Sequence, residues 1–373
     1  MKLIINIIKA VLNIIYAVLK LLPVQKKVLF LSRQSNSPSI DITLLSERIA
    51  AEHPDYQSVI LCRKIGPGLK GKIAYCFHML RQMYNLATAQ VVVLDSYAIL
   101  VSLLKHRRSL LVIQMWHSVG TMKKFGYSIL DQPEGSSSKI AVPMNMHKNY
   151  DYILCAGEGY RSHLADGFNY PEDKIIILPL PRVAALQDAE FISAKKDAIY
   201  TSYPELRCKK NILYVPTFRK NESEQQEFKC ALAALKEAFD SFSDEYNLII
   251  KAHPLSDVAS DCPEFTSFDM LSAADYVISD YSCIIYEAAV LHIPLFFYTY
   301  DYETYTQTRD IYMDFPSEIP GPMYRNPADI FAAIDSRSFD MPAQEKFLSK
   351  YVAYKKDDII GDIVSFIWSQ KAR

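Results

Sequence analysis

At 373 residues the chain is too long for one ordinary domain and suits two of average size. Half of its residues are apolar and 12% are Phe, Trp or Tyr, which is ample material for two cores. With 41 basic against 42 acidic residues the net charge is −1, so the chain as a whole has no pull toward nucleic acid and any basic surface is local.

Residues 1–22, MKLIINIIKAVLNIIYAVLKLL, precede Pro23. Lys2, Asn6, Lys9, Asn13, Tyr16 and Lys20 recur at spacings of three and four, which puts them on one helical stripe with Leu, Ile and Val on the other faces. A signal peptide needs an unbroken apolar core and a small-residue cleavage site, and neither is present. A spanning helix needs about 20 consecutive apolar residues, and this stripe would bury two asparagines and a lysine. The expectation is an amphipathic helix over residues 1–23 lying on a membrane surface, helped by six basic residues and no acidic one before Asp41. A helix packed on its own domain is the alternative.

After Pro23, short apolar runs alternate with longer mixed segments, as parallel strands with crossover helices do. Strands are predicted at 27–32, 58–63, 90–95, 110–116, 152–156 and 174–180, with helices at 42–52 and 78–87. A charge-rich stretch, 187–210, carries no strand signal and reads as a helical or linker passage. The pattern resumes with strands at 211–216, 247–252, 276–279 and 294–298 and helices near 224–242 and 283–291. The expected fold class is α/β, an N-terminal α/β domain over 24–195 and a C-terminal one over 205–373. No G-x-x-x-x-G-K-[ST] or G-x-G-x-x-G sequence occurs, which weakens nucleotide triphosphatase and dinucleotide readings. The seven cysteines form no C-x-x-C pair and stand at no metal-ligand spacing, so free thiols in a reducing compartment and no protein-held metal are expected.

Polar residues at the predicted strand ends are the candidate site. LLVIQMWHSVGTMKKFG delivers His117 to a loop where it can take a proton from an attacking hydroxyl, or serve a structural role. The basic residues Arg107, Arg108, Lys123 and Lys124 flank that strand and suit an anionic acceptor, or form a solvated face. ILYVPTFRK ends in Thr217 and Arg219, and an arginine fork matches phosphate oxygens as well as it does a surface ion pair. NLIIKAHP ends in Lys251 and His253, which can neutralise a leaving phosphate. In ADYVISDYSCIIYEAAV a strand stops at Asp280 and Ser282 is placed to cap a helix, so the N–H groups of Ser282 and Cys283 can meet a diphosphate, or simply cap. Asp301, Tyr305 and Arg309 share one helical face.

Taken in order, these segments resemble the CDP-glycerol glycerophosphotransferase family of teichoic-acid and capsule synthesis. The carrying residues are Trp116-His117 with Lys124 and Gly126, Pro181-Arg182, Tyr214 to Arg219, Lys251 to Pro254, Asp280-Tyr281-Ser282 and Asp301 to Arg309. The resemblance implies a GT-B-like fold of two facing Rossmann-like domains, membrane association, and transfer of glycerol phosphate or ribitol phosphate from a CDP-activated donor. The acceptor it implies is a membrane lipid-linked saccharide or growing polyol-phosphate chain, and CMP is released. It implies catalytic roles for His117 and His253 and donor-diphosphate contacts at Arg182, Thr217, Arg219, Lys251, Asp280, Ser282, Cys283 and Arg309, with Lys123 and Lys124 toward the acceptor. No cofactor is required on this reading, although Mg²⁺ can accompany the donor diphosphate. Its setting is the cytoplasmic face of the cell membrane, held peripherally. A GT-B glycosyltransferase using a nucleotide-sugar is the alternative, and release of a nucleoside diphosphate in place of CMP separates the two.

Overall fold

The computed structural model describes residues 2–253 and 255–371. Pro254 of the lysine–histidine–proline segment lies outside them. The chain divides into two compact units, Met1–Ser118 with Phe125–Ala184 and Lys355–Arg373, and Val119–Lys124 with Ala185–Tyr354.

The first unit carries six parallel strands, β1 (Lys27–Ser32), β2 (Gln57–Cys62), β3 (Val91–Leu94), β4 (Leu111–Gln114), β5 (Tyr152–Cys155) and β6 (Ile175–Ile177). They are arranged β2-β1-β3-β4-β5-β6. Because both faces of such a sheet are covered, β1, β3 and β4 are unbroken apolar or fully buried runs and not alternating ones. Val28, Phe30, Val91, Val93 and Ile113 form its core with Ile42 and Leu45 of α2 (Ile40–Glu52). Ile363, Val364 and Ile367 of the last helix, Ile359–Lys371, enter the same core, and Trp368 stacks on His53 at 3.7 Å.

The second unit carries β7 (Lys210–Val215), β8 (Tyr246–Ile250), β9 (Tyr276–Ser279), β10 (Leu295–Tyr298) and β11 (Met323–Tyr324), arranged β11-β10-β9-β7-β8 and also parallel. Its core joins Ile212, Tyr214, Ile278 and Phe296 to Phe228, Leu235, Ile330 and Phe331 from the flanking helices.

The division differs from the expected boundaries in three places. The last helix belongs to the first unit, because its apolar stripe completes that core. Residues 119–124 belong to the second. The passage after residue 187 is the helix Ala189–Ser202, tied to the second unit by Lys195 on Asp269 at 2.8 Å.

The N-terminal helix α1 (Lys2–Leu19) forms as its stripe predicts, but Asn13, Tyr16 and Lys20 of that stripe face the protein. Asn13 donates to Leu103 O at 3.2 Å and accepts from Lys105 N at 2.8 Å. The Tyr16 hydroxyl, fully buried, donates to His106 Nδ1 at 2.9 Å, and His106 Nε2 donates in turn to Val101 O. Lys20 Nζ reaches Lys105 O. Leu3, Ile4, Ile7, Ile8, Val11, Ile14 and Val18 are therefore turned outward and exposed. The neighbouring helix α3 (Gly68–Thr88) begins ten residues earlier than predicted, and its extra turns also show Leu69, Ile73 and Phe77 to the outside.

Candidate functional site

In each sheet the strand order reverses once, between β1 and β3 and between β7 and β9. Loops leaving adjacent strands on opposite sides open a crevice at the strand C-termini there, and ligands of open α/β sheets bind in such crevices.

At the β7–β9 reversal, Asp280 is fully buried and accepts from Thr217 N at 2.9 and 3.1 Å and from Arg219 Nη2 at 3.0 Å. Arg219 also donates from Nε to Asp301 at 2.6 Å, from Nη2 to Asp301 at 3.1 Å and from Nη1 to Thr217 O at 2.8 Å. Burial alone would lower the guanidinium pKa, but Asp280 and Asp301 overcome it and the net shift is upward. Tyr281 donates to Asp301 at 3.2 Å and stacks on Tyr305 at 3.9 Å. All three nitrogens of Arg219 thus bond within the protein and only 2% of the residue is exposed. Arg219 and Asp280 fix the loop that presents Thr217. Lys251 is likewise bonded within the protein: its ammonium has three donors, and they hold Asp261 O at 2.8 Å, Cys262 O at 3.0 Å and Phe265 O at 2.7 Å.

Ser282 and Cys283 are half-buried beside Thr217's loop, but the helix starts at Ile284 with Cys283 in the cap position. Ser282 Oγ lies 3.5 Å from Ile284 N, so the expected serine cap is at the limit of a hydrogen bond. Arg309, half-buried, closes the helix Tyr302–Thr308, with its N–H on Tyr305 O at 2.9 Å. Asp301, at the other end, is engaged by Arg219 and Tyr281 and not by its own helix face.

His253 follows β8, is exposed, and lies 5.3 Å from the Phe218 ring. Its Nδ1 accepts from Leu255 N at 3.2 Å, so the neutral ring carries its proton on Nε2. With Phe218, Gln225, Lys229, Ser256 and Asp257 it lines a hollow that opens beside Thr217.

Lys123 arrives at this place from far back in the sequence. Met122 O accepts from Tyr312 N and Lys124 N donates to Asp310 O, both at 2.9 Å, and Lys123 bridges Ile311. At Gly120 an added Cβ would stand 2.3 Å from the Tyr286 ring, so this strap passes only with glycine. Lys123 Nζ lies 3.4 Å from Thr217 Oγ1 and 5.8 Å from the Tyr305 ring centre. Burial pushes the amine down to about 8, against the pull of Asp280 and Cys283 and helped by Arg309 and Arg219. Lys124 instead faces Asp310 at 3.4 Å. The two lysines therefore stand against different groups.

In the first unit, β4 ends at Gln114 and the chain turns through Trp116, whose φ of 69° is left-handed. Gln114 Oε1 accepts from Trp116 N at 2.9 Å and steadies the turn. His117 follows, its Nδ1–H on Asp95 O at 3.0 Å. Burial pushes its pKa down to about 4, with the Asp95 carbonyl opposing and Arg182 assisting, so the ring is neutral and presents an unprotonated Nε2. Asp95, just past β3, is itself buried, and burial pushes its carboxyl up to about 6 against the nearby Ser32 and Ser96 hydroxyls. Arg182 grips Asp41 of α2 with its main-chain N–H at 2.9 Å, Nε at 2.9 Å and Nη2 at 2.5 Å. Asp41 and Asp95 escaped the sequence reading. Strand order was the missing signal, since both follow the strands that flank the first reversal.

Residues 14–369 match the family described as CDP-Glycerol:Poly(glycerophosphate) glycerophosphotransferase. The chain belongs to this family. A teichoic acid ribitol-phosphate primase of Bacillus spizizenii is 31% identical over 92% of this chain and 92% of its own length. A teichoic acid glycerol-phosphate primase of Bacillus subtilis is 27% identical over 78% and 76%. The structure of the wall teichoic acid polymerase TagF matches with a TM-score of 0.75 at 19% identity, covering 98% of this chain and 95% of that one. This last likeness shows that the glycerophosphotransferase shares a GT-B-like α/β fold, and the identity is too low to carry roles.

Proposed function

We propose that this glycerophosphotransferase moves glycerol phosphate or ribitol phosphate from a CDP-activated donor to a hydroxyl of a lipid-linked saccharide or a growing polyol-phosphate chain. The family match carries the reaction class. The observation that carries the chemistry is His117, held neutral by burial, with its one proton fixed on Nδ1 by the bond to Asp95 O so that Nε2 is unprotonated.

In this reading Nε2 of His117 takes the proton of the acceptor hydroxyl as its oxygen attacks the polyol-bearing phosphorus. A phosphorus–oxygen bond forms to the acceptor, the bridging phosphorus–oxygen bond to the cytidylate breaks, and CMP leaves. The second unit holds the donor at the β7–β9 reversal, where the Thr217 and Ser282 hydroxyls and Arg309 stand. His253, whose Nδ1 accepts from Leu255 N, donates from Nε2 to the leaving phosphate and offsets its charge. No protein-held metal is required on this proposal, and Mg²⁺ enters, where it does, on the donor diphosphate.

The membrane role rests on α1 and α3. No described helix is long and apolar enough to cross a bilayer. Asn13, Tyr16 and Lys20 of α1 are spent on the protein, and Leu3, Ile7, Ile14 and Val18 with Leu69 and Phe77 face outward beside exposed Lys70 and Lys72. Such a surface suits the headgroup region of an anionic cytoplasmic leaflet and sets the enzyme beside a lipid-linked acceptor.

The test is to incubate the purified chain with CDP-glycerol, CDP-ribitol or UDP-glucose and a lipid-linked saccharide acceptor and to follow released nucleotide. CMP from one CDP-polyol, lost in His117→Ala and His253→Ala, supports the proposal and names the donor. UDP from the sugar with no CMP from either polyol overturns it in favour of a glycosyltransferase.

A further inference from the structure

Lys123 is a half-buried cation in an unusual electrical position. Asp280, the carboxylate that acts on it, is held by Arg219 together with Asp301, and Asp280 also caps Thr217 N. Among the described residues no carboxylate stands within salt-bridge distance of the Lys123 amine, whose neighbours are the Thr217 hydroxyl and the Tyr305 ring. An ammonium taken out of water without a counter-ion is costly, and the cost is recovered when an anion arrives. The strap that delivers it is pinned by two main-chain hydrogen bonds to residues 310 and 312 and by the close pass of Gly120 against Tyr286, so the amine is placed by backbone.

We infer that Lys123 binds the phosphates of the CDP donor, with the Thr217 hydroxyl beside it, and does not serve the acceptor. The inference rests on the proposed donor chemistry and adds one residue to it, contributed by a segment that belongs to the second unit although it follows the strand that carries His117.

A consequence is a pH-dependent donor affinity. The groups facing the amine are Asp280, Cys283, Arg219 and Arg309, together with Thr217 and Tyr305. The free amine titrates at about 8, and an anion binds the protonated form. Above that pH the donor must bring a proton with it, and affinity falls by up to about tenfold per pH unit.

The experiment is calorimetric titration of the full chain with CDP-glycerol and CDP-ribitol, without acceptor, from about pH 7 to about pH 9. Lys123→Met and Lys123→Arg are compared with the wild type, and the acceptor KM is measured alongside. Lys123→Met is expected to weaken donor binding roughly ten- to a hundredfold, as loss of a charged hydrogen bond does, and to flatten the pH profile. Lys123→Arg is expected to keep most of the affinity and lose the fall near pH 8, which also covers the case in which Lys123→Met does not fold. An unchanged donor affinity with a raised acceptor KM overturns the inference and returns Lys123 to the acceptor. Failure of the wild type to bind either CDP-polyol overturns the proposed function itself, a result distinct from any effect of the variants.

Discussion

The Nδ1–H of His117 is bonded at 3.0 Å to the main-chain oxygen of Asp95, not to its carboxylate. A carbonyl fixes the tautomer as firmly as an acid would, but it adds no full charge to stabilise an imidazolium. The carbonyl bond raises the pKa somewhat, but burial outweighs it, and the ring stays neutral to about pH 4.

The acid limb of the pH–rate profile follows from this. A base works in its unprotonated form, so on the His117 side activity is expected to hold through neutral pH and fall only toward pH 4. His117→Ala is expected to lose roughly 10²- to 10⁴-fold in kcat. A limb near pH 6.5, the ordinary histidine value, would contradict the burial argument.

Asp95 makes the opposite prediction for stability. Its folded pKa of about 6 lies above the ordinary value near 3.9, so its favourable contribution is complete in acid and lost as pH rises through about 6. Asp95→Asn is therefore expected to raise Tm at about pH 8, by an amount corresponding to roughly 2 kcal/mol, and to do little at about pH 4. Thermal melts at the two pH values check this.

Arg219 is expected to behave as a structural residue. Arg219→Met strands Asp280 and Asp301 as buried uncompensated charges, at a cost of roughly 3–5 kcal/mol. The expected result is a large fall in Tm, seen in thermal melts without any ligand. A variant with native Tm and weakened donor binding would restore the direct role that the sequence suggested.

For the membrane surface, Ile7→Asp with Ile14→Asp changes two outward residues of α1 and none of its polar anchors. Flotation with vesicles containing anionic lipid is expected to lose most of the bound protein, while the Tm of the chain stays within about a degree, as surface substitutions usually allow. Retained binding would place the contact elsewhere.

Much of this was legible in the sequence. A buried parallel strand must be a continuous apolar run, and β1 and β9 lie where those runs placed them. The helical period likewise gave α1 and its stripe before any packing was known. The beginning of α3 was missed because its first turns are apolar toward solvent and carry no core-facing rhythm. The two-residue strand β11 is too short for any periodicity to register.

The sequence by itself determined the strands, the stripe of α1 and the set of polar residues that follow the strands. Only the tertiary structure decided which of those residues are spent on bonds within the protein. Arg219 meets Asp301 across 82 positions, Lys251 meets carbonyls ten to fourteen positions on, and Lys123 meets Thr217 across 94. The physical reason is that a donor's valences are satisfied by whatever the fold brings within about 3 Å, and strand order, which no local pattern encodes, sets that company.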